Sequence, residues 1–228
     1  MLVGIHQLHY LPWLRYFEKI ARSDVFIVLD NIQYNKNGYQ NRNRIKGPEG
    51  GVLLTVPVLD KFAQPLDAVQ INNRTAWRKK HLRSLQQYYR KAPYYAAHAP
   101  FFEAVYSREW ESLNSLNREI LGYFIKALGI TTRVEYASEL NVPGEATTRL
   151  IHLMQAVGGS TYYSGAHAVD TYLNLEAMNA AGLAVTPQQW KAPTYPQSYG
   201  EFVPDLSIVD CLLHCGPETM RVILGEHP

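Results

Sequence analysis

The chain has 228 residues, of which 46% are hydrophobic and 18% charged, and its formal net charge is +2. Length and composition fit one globular domain with a sizeable core. Near-neutral charge excludes an electrostatic case for bulk nucleic-acid or polybasic membrane binding. No apolar run approaches the ~20 residues of a membrane span, and no basic-then-apolar leader precedes the first strand, so a cytoplasmic location is expected.

The first strand is the apolar run from Met1 to Ile5, which breaks into His6-Gln7-Leu8-His9-Tyr10-Leu11 before Pro12. Trp13, Tyr16, Phe17 and Ile20 then form an i, i+3, i+4, i+7 stripe, which predicts a helix from about Trp13 to Arg22. Val25 to Leu29 is a second strand, ending in Asp30 and a long polar segment that runs to Arg44. After the turn cluster Lys46-Gly47-Pro48-Glu49-Gly50-Gly51, a third strand is predicted from Val52 to Val58, stopped by Pro57 and Asp60. Val69-Gln70-Ile71 predicts a short strand.

The middle third predicts three helices. The first begins near Thr75, with Trp77, His81, Leu85 and Tyr88 on one face and Arg78, Lys79, Lys80 and Arg83 on a solvated one. Pro93 separates it from a second helix through Phe101, Phe102 and Val105. The third runs from Leu113 to Leu128 and stops at Gly129. A strand at Thr132 to Tyr136, a helix at Glu145 to Val157 and a strand at Thr161 to Tyr163 follow, the last ending at Ser164-Gly165. Val185 to Trp190 predicts another strand, and Lys191 to Phe202, rich in Pro, Tyr and Gly, an extended path. Ser207 should cap a short helix carrying Ile208, Cys211, Leu212 and Cys215, with a last helix from Glu218 to Leu224.

Strands alternating with helices predict an α/β fold, a mainly parallel sheet with flanking helices and a helical insertion in the middle third. The expected organisation is one domain over 1–228, mostly helical over 75–130 and extended, then helical, over 185–228. The first two strands should be adjacent and parallel, because the short helix between them suffices for the crossover.

Several residues suit chemistry. His6 sits where a strand gives way to a turn, and imidazole titrates near neutrality, as a general base should. Asp30 ends the second strand and is the best carboxylate, able to meet a sugar hydroxyl, hold magnesium or orient a histidine; capping a turn is the plainer role. His6 and His9 lack a carboxylate or cysteine at ligand spacing, so no metal site is expected and no cofactor is named. The loop from Gln33 to Arg44 carries Lys36, Arg42 and Arg44 among amides and tyrosines. Such residues recognise phosphates and sugars, though the loop has no glycine-rich phosphate cradle. Ser164 and Gly165 mark a further strand end without the Gly-x-Ser-x-Gly elbow, which suits ligand positioning rather than nucleophilic attack. Cys211 and Cys215 are too few for a disulfide framework and share an apolar helix face; burial is a simpler account of them than a thiol nucleophile working with His214. The 16 tyrosines and four tryptophans can line a site for sugars or flat rings, or simply pack the core.

These residues also carry a family likeness. His6-Gln7, Tyr10-Leu11-Pro12-Trp13, Tyr16-Phe17, Lys19-Ile20, Asp24-Val25, Asp30, Gln33-Tyr34, Lys36-Asn37 and Asn41-Arg42-Asn43 resemble the signature of the WbqC-like family. The likeness continues through Tyr163-Ser164-Gly165, Tyr172-Leu173, Pro196-Gln197, Gly200-Glu201-Phe202 and Ser207-Ile208-Val209-Asp210. Leu8, Arg15 and His214 stand where that family has proline, glycine and asparagine.

The resemblance implies a role in bacterial surface-polysaccharide (O-antigen, capsule) gene clusters. The enzyme it implies is a transferase moving an acyl or aminoacyl group to the amine of a nucleotide-linked sugar. The sugar nucleotide and the acyl donor would then be its partners, in a monomer or an oligomer. On that reading His6 deprotonates the amine and Asp30 orients it. Lys36, Asn41 and Arg42 hold phosphate, Tyr10 or Trp13 gives a stacking face, and Gln7, Gln33, Ser164 and Gly165 complete the substrate contacts. A nucleotidylyltransferase-like enzyme is an alternative, although His6-Gln7-Leu8-His9 lacks the glycine of that signature. A non-catalytic sugar-nucleotide binding protein is another.

Overall fold

A computed structural model describes residues 1–59, 63–165 and 173–226. Asp60, and Asp170 and Tyr172 beyond the Ser164-Gly165 turn, lie outside them. In chain order the elements are β1 (Leu2–Gln7), α1 (Leu14–Arg22), β2 (Val25–Leu29), β3 (Arg42–Gly47), β4 (Gly50–Thr55), β5 (Val58–Leu59) and β6 (Gln70–Ile71). Then come α2 (Trp77–Tyr89), α3 (Tyr95–Ser107), α4 (Leu113–Ala127), β7 (Arg133–Tyr136), α5 (Ala137–Leu140), α6 (Ala146–Ala156) and β8 (Thr161–Ser164). The last are α7 (Leu175–Ala180), β9 (Ala184–Pro187), α8 (Ile208–Cys215) and α9 (Thr219–Leu224). The chain divides into two compact units.

The first unit takes residues 1–7, 16–31 and 130–191. Its five-stranded sheet has the order β7-β2-β1-β8-β9, and every neighbouring pair is parallel. β1 and β2 are adjacent as expected, with Val3 opposite Val25 and Gln7 opposite Leu29. β2 reads as a continuous apolar run because helices cover both faces of such a sheet. One face packs Val3, Ile5, Val25, Ile27 and Tyr162 against Leu150, Leu153 and Met154 of α6.

The other face takes α1, and Gly4 sets how closely. A Cβ at Gly4 would lie 2.5 Å from Ser23 Oγ and 2.9 Å from the Phe26 ring, so a side chain there would push the helix off the sheet. Ser23 in turn donates to the Lys19 carbonyl at 2.7 Å, which satisfies part of the helix end.

The second unit takes residues 8–15, 32–129 and 192–228. Here the expectation of a loop up to Arg44 followed by one strand is corrected. β3 and β4 form an antiparallel hairpin, Arg42 opposite Thr55 and Gly47 opposite Gly50, outside the parallel sheet. Asn43, Ile45 and Lys46 are buried and Arg44 is exposed, so the polar composition hid a strand. β5 pairs with β6 in a second ribbon. Helix α2 buries Trp77, His81, Leu85 and Tyr89 rather than Tyr88, since steps of four keep residues on one stripe. Ser207 caps α8, accepting from the Val209 N–H. No described helix is long and apolar enough to cross a membrane.

Candidate functional site

Parallel strands place all their carboxyl ends on one edge of the sheet, where open α/β sheets bind ligands. In the first unit that edge is built from His6 and Gln7, Asp30, Tyr136, Ser164-Gly165, and Gln188 just after β9. His6 is half-buried with its ring edge-on to Tyr16, the centroids 5.0 Å apart. Its Nδ1 donates to the Gln7 carbonyl at 3.2 Å, which makes Nε2 the basic nitrogen of the neutral ring. Tyr16 is buried beside Tyr136 and Asp30; burial first, and then those two groups, raise its phenol well above the usual tyrosine range.

Asp30 is fully buried, and its carboxylate accepts from the Ser138 N–H at 3.0 Å and the Ser138 hydroxyl at 2.8 Å. It caps the first turn of α5 and so fixes the end of β2. Next to it, Asn31 accepts from Arg149 at 2.5 Å. Ser164 is also fully buried, and its hydroxyl has no hydrogen-bond partner among the described residues. A buried unsatisfied hydroxyl at a sheet's carboxyl edge is the kind of group a ligand completes.

Two charged residues on α1, neither singled out for chemistry from its type, belong to the same unit. Glu18 is buried and accepts from Tyr163 at 3.0 Å and from Gln188 at 2.5 Å, while Arg22 pairs with it at 3.4 Å. Lys19 is 2% exposed, and its Nζ is 3.6 Å from where a Gly165 Cβ would stand. Burial lowers its pKa from 10.5 to about 8, with the Glu18 charge opposing the shift. The available signal was position: Lys19 is three residues from Tyr16 and adjoins the buried stripe, where lysine is rare.

The shift fixes a stability prediction. The native state holds the Lys19 proton less tightly than the unfolded chain, so the cost is complete below pH 8 and is relieved as pH rises toward 10.5. Lys19→Met should therefore stabilise the protein by about 3 kcal/mol at pH 7 and by less at pH 10. Denaturant midpoints at the two pH values measure this; equal gains at both would reject the buried-charge account.

The remaining sequence candidates belong to the second unit. Tyr10 is fully buried, its hydroxyl bonded to His81 Nδ1 at 2.8 Å and to the Tyr106 hydroxyl at 2.5 Å. It is a core residue and offers no ring face to a ligand, which corrects the stacking role expected for it. Trp13 is half-buried and meets Tyr39 edge-on at 4.4 Å and His9 at 5.0 Å, with Tyr39 43% exposed. Asn41 is buried and donates to the Val56 carbonyl, and Asn43 donates to the Leu11 carbonyl at 2.6 Å. Gln40 accepts from the Asn35 N–H. Asn41 was expected to hold phosphate, and the loop's amides to suit sugars; these three amides instead bond to the backbone, holding the Leu8–Trp13 turn and the loop in shape.

Lys36 and Gln33 are exposed, and Arg42 is half-buried. Arg42 Nε is buried without a hydrogen-bond partner among the described residues. A guanidinium so placed can take an anion. Burial was the simpler reading of the two cysteines; Cys211 is buried on the apolar face of α8, whereas Cys215 is half-buried.

Residues 7–222 match the model of the WbqC-like protein family. The chain is also 35% identical over 220 residues to Uncharacterized protein Rv1507c of Mycobacterium tuberculosis, covering 95% of this chain and 94% of that protein. No solved structure matches it. With a family model spanning nearly its whole length and a relative of the same extent, this chain belongs to the WbqC-like protein family.

Proposed function

We propose that this protein is a transferase that places an acyl or aminoacyl group on the amine of a nucleotide-linked sugar in bacterial surface-polysaccharide biosynthesis. The observation that carries the reading is the carboxyl edge of the parallel sheet, where His6 presents a basic nitrogen fixed by the Gln7 carbonyl. Family membership supports the pathway through the gene-cluster association attached to that resemblance.

The sugar amine attacks the carbonyl carbon of the acyl donor, and His6 Nε2 takes the amine proton as the new C–N bond forms. The proton then passes to the leaving group as the donor's acyl bond breaks. Asp30, tied to Ser138, acts by holding the neighbouring strand end rather than by touching substrate. Ser164 and Gly165 border the ligand, and Gln7 contributes a polar contact. In the second unit Lys36 and Arg42 are the candidates for phosphate, Gln33 for a polar contact and Trp13 for an aromatic surface.

The test is incubation of the purified protein with nucleotide-linked amino sugars and acyl or aminoacyl donors, read by mass spectrometry for a product acylated at nitrogen. Release of pyrophosphate on incubation with a nucleoside triphosphate and a sugar phosphate, with no acylated product from the first mixture, would favour a nucleotidylyltransferase. Saturable binding of the sugar nucleotide with no turnover for any donor class would favour a binding protein.

A further inference from the structure

Ser198 and His214 meet in the second unit in an arrangement that the proposed transfer reaction does not use. His214 Nε2 receives the Ser198 backbone N–H at 3.1 Å and lies 2.9 Å from Ser198 Oγ. A backbone N–H can only donate, so Nε2 is the unprotonated nitrogen and the hydroxyl donates to it. The opposite nitrogen, Nδ1, then carries the proton and donates to the Asp210 carbonyl at 2.8 Å, with the Asp210 carboxylate 3.9 Å away. Hydroxyl to Nε2, with Nδ1–H held by an orienting acceptor, is the geometry of an activated serine. Asp210 is itself fixed, since it accepts from the Tyr89 hydroxyl at 2.8 Å.

The loop that presents Ser198 is held from several sides. Gln197 exchanges two hydrogen bonds with Val203, from Nε2 to its carbonyl at 2.9 Å and from its N–H to Oε1 at 2.8 Å. The buried Lys46 ammonium donates to the Glu201 carbonyl. Tyr199 donates to the Tyr88 carbonyl at 3.1 Å. Tyr199 and Gly200, immediately after the serine, are left-handed with φ of 63° and 57°. They turn the chain sharply just past the serine, and the N–H of the residue after a nucleophile is one an oxyanion can take.

Tyr199 also forms part of the wall of an open groove of about 580 Å³, which Arg83, Arg90, Lys91 and Tyr88 line as well. Three cations and two tyrosine rings suit a phosphate-bearing group attached to a flat base.

We infer that Ser198 and His214 are a nucleophile and general base that cleave an acyl thioester whose thiol half carries phosphate, bound in the Arg83–Arg90–Lys91 groove. Ser198 Oγ bonds to the acyl carbon while its proton passes to His214 Nε2. The tetrahedral adduct then expels the thiol, which leaves with that proton, and the acyl group remains on Ser198 as an ester. Water, deprotonated by the same nitrogen, hydrolyses the ester, releasing the carboxylic acid and restoring the serine. The site needs no sugar nucleotide, so its fate is separate from that of the transfer reaction proposed above.

The test uses the full chain with a fluorophosphonate probe, and with acetyl-coenzyme A and p-nitrophenyl acetate as substrates. The expected result is one adduct, mapped to Ser198 by peptide mass spectrometry. Ser198→Ala should abolish it with an unchanged unfolding temperature, because the backbone N–H to His214 survives the substitution. His214→Gln should slow labelling by ~10²-fold or more. The double variant Arg90→Gln, Lys91→Gln should raise the KM for acetyl-coenzyme A at least about tenfold more than that for p-nitrophenyl acetate. No adduct at Ser198, or labelling indifferent to His214→Gln, would overturn the pair; an equal effect on both substrates would overturn the thioester assignment.

Discussion

Replacing His6 with alanine is expected to lower turnover of a nucleotide-linked amino sugar by ~10²–10⁴-fold, the usual cost of a lost proton-transfer group. The expectation follows from the ring's placement: the Nδ1 contact to Gln7 and the edge-on packing against Tyr16 hold Nε2 in one orientation. Affinity for the sugar nucleotide should be nearly unchanged, because anion binding needs a permanent cation and not a group that titrates near neutrality. Arg42→Ala should show the converse, weakening binding by ~1.5–3 kcal/mol as a charge-assisted hydrogen bond is lost. Calorimetric titration beside steady-state kinetics separates the two effects. Wild-type turnover with lost binding in His6→Ala would make His6 a positioning residue instead.

Acid should destabilise the protein well above the carboxylate range. Burial lowers the pKa of His9 from 6.5 to about 3. It lowers that of His81 from 6.5 to about 4, against the opposing effect of a hydrogen bond from the ring to the Thr55 backbone. Both rings are neutral in the native state, while the unfolded chain takes up their protons once pH falls below 6.5. Stability is therefore complete above pH 6.5 and declines as pH drops toward the native values. By pH 5 each ring should account for about 2 kcal/mol of lost stability. Urea unfolding between pH 7.5 and 5 measures the decline. His9→Phe keeps an aromatic ring against Trp13 and Tyr39 and removes the titration, so its pH dependence should be shallower by about 2 kcal/mol over that range. A slope identical to that of the native sequence would show that His9 is protonated without unfolding.

Between these two histidines and His6, residue type misleads in different ways. His6 and His9 are three residues apart in one turn and look equivalent in sequence. Only the fold makes one half-buried at the sheet edge and the other a neutral core ring. Similarly, Tyr10 and Trp13 share a motif, yet Tyr10 is sealed by His81 and Tyr106, more than seventy residues distant.

Local pattern determined the elements and the class of fold. The apolar run of β2, the stripe Trp13, Tyr16, Phe17, Ile20 and the alternation of strands with helices arise from periodicities of two and 3.6, which are properties of the backbone and need no partner. They also determined that β1 and β2 would be parallel neighbours, since the connection is too short for much else. Tertiary structure alone decided which polar groups are free for chemistry. The amides of Gln40, Asn41 and Asn43 meet backbone groups at Asn35, Val56 and Leu11; Lys19 is drawn into the face that Gly4 opens; and Ser198 meets His214 across sixteen residues. A polar side chain's role depends on which distant donors, acceptors and apolar walls surround it. Those are set by packing between elements, and no local period encodes them.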